Sequence, residues 1–218
     1  MTAALLTLAD SRLPAGGHTH SGGVEQAVAA GLVHDPSSLA AFLLRRLTTS
    51  GAVAAGLAAA ACGGGDLAAL DAEADARTPS PALRAASRQQ GRGLVRVGRR
   101  AWPSPLWDAL PAAPHHPVAL GVAAAAGSLT ARDAAAAAAY LSVSGPATAA
   151  QRLLAMDPLT VAAVTARLAP EIDAVADAAV QGGRNGHFCR PGLPADTDPL
   201  LDLLAEVHAA RKDRFFAS

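Results

Sequence analysis

The chain has 218 residues, no formal net charge, and a composition that is 51% hydrophobic but only 3% aromatic. That length suits one large domain with ample core, and the neutral balance argues against a dedicated binder of nucleic acid or of acidic membranes, both of which need a basic field. About a quarter of the residues are alanine, well above ordinary usage, so helices built from this chain must approach closely or lean on a partner. Lys212 is the only lysine, which excludes a Walker-type phosphate loop and places no lysine where Schiff-base chemistry would need one. Cys62 and Cys189 show neither zinc spacing nor a disulfide framework. Met1 to Ala9 is apolar without a basic flank, and no apolar run reaches the ~20 residues of a membrane span, so a cytoplasmic protein with no membrane partner is expected.

In chain order the segments read as helices. Leu5 to Ala9 is a short apolar stretch, followed by the loop Leu13 to Gly23. Ser21 or Gly22 is expected to cap a helix from Val24, with Val24, Ala27, Val28 and Leu32 on one side. Asp35-Pro36 pairs an N-cap with a first-turn proline. From there Leu39, Phe42, Leu43 and Leu47 carry one helix into the alanine-rich run that ends at Cys62 and Gly63-Gly64-Gly65. A shorter acidic helix holds Asp66, Asp71, Glu73 and Asp75, and Pro79-Ser80-Pro81 opens a helix to about Trp102.

Five prolines between Pro103 and Pro117 mark a connecting segment and candidate hinge. Helices at Val118–Ala126 and Thr130–Leu154 follow, the second expected to kink or break at Pro146. Asp157-Pro158 starts another helix, Gln181–Asp198 reads as a long loop, and a last helix from Pro199 has Leu200, Leu203, Leu204 and Val207 on one face. With no alternating β-branched run, the fold class is all-α: one domain, 1–218, forming a bundle of about eight to ten helices.

Chemistry is sparse. His18-Thr19-His20 and His115-His116 lack the further ligands a metal site needs. His187 and Cys189 offer a base and a thiol at a spacing that matches no catalytic elbow. The loop Gly16–Gly23 lacks the strand and lysine of a phosphate cradle. Arg84, Arg88, Arg92 and Arg96 recur every four residues, with Arg99 and Arg100 beyond, and no acid lies between Leu83 and Ala101. On a helix they form one stripe, either paired with the acidic helix Asp66–Asp75 or offered to an acidic protein surface. Gly91, Gly93 and Gly98 each disfavour that helix by about 1 kcal/mol relative to alanine and imply a close backbone approach or a local break. Two of only four phenylalanines, Phe215 and Phe216, sit among arginines near the end. They are either folded back on the body or held for a partner groove.

These motifs together resemble the UreF-type urease accessory proteins. Pro14, Gly16, Gly17, Ser21, Gly23 and Glu25 are similar to that family's N-terminal signature, Arg88-Gln89-Gln90-Gly91-Arg92 to its central motif, and His208, Arg214, Phe215, Phe216 and Ser218 to its ending. His18 and His20 stand where the family carries aromatics, Thr160-Val161 where it continues with glycine and glutamine, and Ala209 where it has glutamate. The resemblance implies a helical, non-enzymatic chaperone subunit that forms homodimers. It would join a UreD/UreH-type accessory protein and the GTPase UreG to act on urease apoprotein, with no cofactor of its own: nickel is cargo and GTP belongs to the partner. It implies partner contacts by Arg88, Gln89, Arg92, His208, Arg211, Arg214, Phe215, Phe216 and Ser218, with 208–218 as a C-terminal tail ordering on the accessory protein. Two other readings stay open: a helical hydrolase using Cys189 and His187, and a regulator docking some other acidic protein.

Overall fold

The computed structural model describes residues 3–10, 12–15, 19–184 and 192–217, the side chains of 182–184 excepted. Within them all regular structure is helical: α1 (Ala3–Ala9), α2 (Val24–Ala29), α3 (Pro36–Arg46), α4 (Ala52–Cys62), α5 (Leu67–Ala76), α6 (Pro81–Ala101), α7 (His116–Ala126), α8 (Ala131–Leu153), α9 (Pro158–Arg167), α10 (Ala169–Arg184) and α11 (Pro199–Ala210). No helix among the described residues is long and apolar enough to cross a membrane.

Helix starts follow local chemistry. Asp35 caps α3 through a reciprocal box with Ser38, Thr130 caps α8 with Asp133, and Asp66, Ser80, Asp157 and Asp198 cap their own helices. At α2 the cap position is Gly23 rather than Ser21 or Gly22. Its φ of 89° lies in the left-handed region, where a side chain would be strained.

The core is built on α4 and α8, with α7 and α10 packed against α4 and α6 against α7. Buried Ala55, Ala58, Ala59, Ala134, Ala135 and Ala139 let these helices come close. At α7, a Cβ on Gly121 would strike the Ala58 carbonyl oxygen of α4. The small side chains foreseen from composition are therefore what sets the helix spacing.

Several expectations are corrected. The helix from Asp35 to Cys62 is interrupted by a π turn, Leu47–Gly51. The 103–117 segment is not a free hinge. It carries a 3-10 turn, Pro105–Ala109, and seats Trp107 at 1% exposure, with its indole N–H donating to the Trp102 carbonyl at 2.9 Å. α10 runs on to Arg184, past the expected loop start at Gln181. Leu32 lies beyond α2 and is exposed.

α11 buries Leu201, Leu204, Ala205 and His208, leaving Leu203 and Val207 outside. The spacing of buried His208 from Leu201, Leu204 and Ala205 sets the inward face, and a buried hydrogen bond between His208 and Glu25 fixes the rotation that leucine spacing alone leaves ambiguous.

Nor does α8 break at Pro146. Proline has no N–H, so the Ser142 carbonyl four residues earlier loses its helical donor. Arg46 replaces it: its Nε donates to Ser142 O at 3.1 Å while Nη1 donates to Gly22 O at 2.9 Å.

α6 is unbroken, and its glycines mark close approaches. A Cβ on Gly91 would collide with the Pro114 carbonyl, on Gly93 with the Ala15 carbonyl, and on Gly98 with the Trp107 ring. Gly91→Ala should therefore destabilise the chain by about 1–3 kcal/mol from overpacking, although alanine is intrinsically the better helix former. A chemical-denaturation midpoint that rises instead would show that the 113–115 backbone yields easily.

Candidate partner-docking site

The C-terminal segment is built onto the N-terminal signature. Glu25, in the first turn of α2, is 3% exposed. Its Oε2 pairs with His208 Nε2 at 2.8 Å and accepts the Phe216 N–H at 3.0 Å, while Oε1 accepts the Phe215 N–H at 2.8 Å. Ala217 N donates to Thr19 O at 2.7 Å, and Arg211 Nη1 to Gln26 Oε1 at 3.2 Å. Burial by itself would raise the Glu25 carboxyl. The hydrogen bonds from Phe215, His208 and Phe216 outweigh it and hold the group below the usual glutamate range.

Through residue 217, the segment expected to order on a partner is seated on this chain, because the Glu25 carboxylate gathers three donors. His208 is 2% exposed and belongs to that seat rather than to a free surface. The two phenylalanines divide the alternatives. Phe216 is half-buried against the core, whereas Phe215 is 86% exposed. Arg214 is exposed beside it.

Approach of α11 is guided at three places. Arg45 pairs with Asp198 at its start, Glu206 accepts from Ser80 Oγ and from Ala82 N at the start of α6, and Glu25 holds His208 at its end.

The arginine stripe on α6 divides as well. Arg88 donates to Asp71 Oδ2 at 2.9 Å, to Asp75 Oδ2 at 2.5 Å and to the Ala113 carbonyl at 2.6 Å. His115 joins the same carboxylates, through its backbone N–H to Asp71 Oδ1 at 2.7 Å and through Nε2 to Asp75 Oδ1 at 2.9 Å. Burial would raise Asp75, but bonds from His115 and Arg88 outweigh it and leave the carboxyl below its ordinary range. This end of the stripe pairs with the acidic helix. Arg99 is engaged by Asp108.

Arg92 and Arg96, by contrast, are exposed and carry no ion pair among the described residues. With Gln89, Gln90, Thr19, His20 and Ala15 they line a recess of about 360 Å³. It is a polar, cationic notch between α6 and the signature loop.

Of the remaining signature residues, Ser21 is fully buried with its Oγ facing the Glu25 N–H at 3.5 Å, and Pro14 lines a neighbouring cavity. Gly16, Gly17, His187, Cys189 and Ser218 lie outside the described residues, so the hydrolase reading has no geometry here. Cys62 is half-buried, with its thiol pushed up to about 11, which keeps it protonated at neutral pH.

The UreF family matches residues 33–169. Proteins called urease accessory protein UreF match nearly end to end. One from Mycobacterium sp. (strain JLS) is 54% identical over 98% of this chain and 97% of its own length. One from Mycolicibacterium vanbaalenii is 54% identical over 99% and 98%. One from Mycobacterium tuberculosis (strain ATCC 25177 / H37Ra) is 47% identical over 99% and 98%.

The chain belongs to the UreF family.

Within this UreF chain, residues read from separate motifs now share one surface. The N-terminal signature supplies Glu25, the ending supplies the segment it holds, and the central motif borders the notch beside the signature loop. Two sets of residues escaped sequence reasoning. Arg46 was unremarkable, although Pro146 inside a helix signals an orphaned carbonyl in need of a donor. The carboxylates Asp71 and Asp75, four apart on one helix face, were visible, but His115 joining them was not.

Proposed function

We propose that this chain is the UreF subunit of a urease maturation complex, a non-catalytic cytoplasmic homodimer. It joins a UreD/UreH-type accessory protein and the GTPase UreG to place nickel in urease apoprotein. Nickel is cargo, and GTP is bound by the partner GTPase. What supports this most is similarity to urease accessory proteins along nearly the whole chain. The lone lysine, Lys212, agrees with leaving nucleotide chemistry to another subunit. The docking elements are Phe215 and Arg214 on the anchored tail, with Gln89, Arg92 and Arg96 on α6; Arg88 and His208 act by holding these in place.

The experiment is urease activation in a strain lacking this protein, with urease nickel measured alongside. The unaltered gene is expected to restore both, and restored activity without it would overturn the reading. Two variants separate docking from folding. Arg92→Glu with Arg96→Glu should weaken co-elution with the accessory proteins and leave the melting temperature unchanged. Arg88→Glu places like charges against Asp71 and Asp75 and should lower it. A stripe that acts only in folding would show the opposite for Arg92 and Arg96. Deleting 211–218 is expected to abolish partner binding while the helical spectrum persists.

A further inference from the structure

Arg46 does more than replace a missing helix donor. It is the last residue of α3, at the entry to the π turn, a local widening that recurs at functional positions. Its two hydrogen bonds go to neutral carbonyls, Ser142 O and Gly22 O. No carboxylate lies within ion-pair distance of it among the described residues. Three of the five guanidinium N–H groups have no acceptor among the described residues. Burial pulls its pKa down to about 10, so the group still carries its charge at neutral pH.

Arg46 lines a cavity of about 450 Å³ whose walls are largely apolar, with Leu94, Leu120 and Leu141 among them. That volume falls within the range of small-molecule pockets. The charges in the wall do not cancel. Asp10 is taken by Arg12 at 2.8 Å. Arg152 lines the cavity as well and has no carboxylate partner among the described residues. His116 also lines it and is held neutral, its pKa pushed down to about 4 by burial and by His20. A part-buried cation without a counter-charge is costly unless an anion joins it, and a planar guanidinium fork matches the two oxygens of a carboxylate.

We propose that this cavity binds a small organic monocarboxylate, its head on Arg46 with Arg152 nearby and its hydrocarbon body against Leu94, Leu120 and Leu141. A monocarboxylate fits better than phosphate because the apolar walls suit a hydrocarbon body.

The test is titration of hexanoate into the full chain by calorimetry and by NMR, with hexanol and inorganic phosphate as comparisons. Hexanoate should bind about tenfold tighter than hexanol, and phosphate should compete weakly. Removing Arg46 alone would orphan Ser142 O, so the informative variant is Arg46→Met with Pro146→Ala, in which residue 146 regains its N–H. That pair should lose hexanoate binding about tenfold, while Pro146→Ala alone keeps it. Arg152→Ala should weaken binding a few-fold. Hexanol equal to hexanoate, phosphate equal to hexanoate, no saturable hexanoate binding, or undiminished affinity in the double variant would each overturn the proposal. If the double variant fails to melt cooperatively, Arg152→Ala and the ligand comparison on the unaltered chain decide.

Discussion

Replacing Glu25 with alanine is expected to destabilise the chain by about 3 kcal/mol or more, because three donors lose a charged acceptor at once, and to free residues 211–217. The His208 ring and the Phe215 and Phe216 N–H groups would lose their acceptor together. A buried donor left without a partner bears its full desolvation penalty. The loss should appear twice: in the denaturation midpoint, and as rapid tryptic cleavage after Arg211, Lys212 and Arg214. A variant whose tail stays as resistant to trypsin as the unaltered chain would refute the anchor.

The same carboxylate sets a pH dependence. Its folded pKa is depressed below the ordinary value of 4.5. Its contribution is therefore fully present above about pH 4.5 and is lost as pH falls through the folded value. Tail release should precede global acid unfolding, detectable as protease sensitivity on acidification while helical circular dichroism persists.

The second large effect concerns Arg46 and Pro146. Arg46→Ala removes charged donors from Ser142 O and Gly22 O and should destabilise by about 2–3 kcal/mol. In a Pro146→Ala background the helix supplies its own N–H to Ser142 O, and the same substitution should cost at least about 1 kcal/mol less. Such coupling is what a double-mutant cycle on denaturation midpoints measures. Strict additivity would mean that Arg46 and the proline act independently, and would remove the explanation for an unbroken α8.

Most helix positions were legible because their signals are local. Asp35-Pro36 and Asp157-Pro158 announce their own helices, and both caps are formed. The turn of α11 was not legible. Leucines at 200, 201, 203 and 204 allow more than one inward face, and the choice rests on His208 meeting a carboxylate 183 residues away in sequence. The continuity of α8 through Pro146 was not legible for a similar reason: the substitute donor comes from 96 residues earlier. In the candidate site, Glu25, Phe215 and Phe216 were each marked, yet as separate motifs. That one carboxylate holds the other two could not be read from spacing, since nothing in a linear pattern encodes which donors converge. The arginine stripe was visible as a whole. Its division into the Asp-paired Arg88 and the open Arg92 and Arg96 depends on where α5 lies.

The grip of Glu25 on the tail also orders events in time. The carboxylate and the N–H groups it receives are 190 and 191 residues apart. At ribosomal rates of about 5–20 residues per second, α2 waits on the order of ten seconds or more for the groups that complete it. Until then Glu25 is an acid with no partner and must stay hydrated, keeping the N-terminal loop away from its final seat. The α4–α8 core can assemble first, so the seating of residues 208–217 on α2 becomes a late step that follows it. Nascent chains stalled before residue 208 are accordingly expected to hold the central helices while leaving α2 and the signature loop open to proteases.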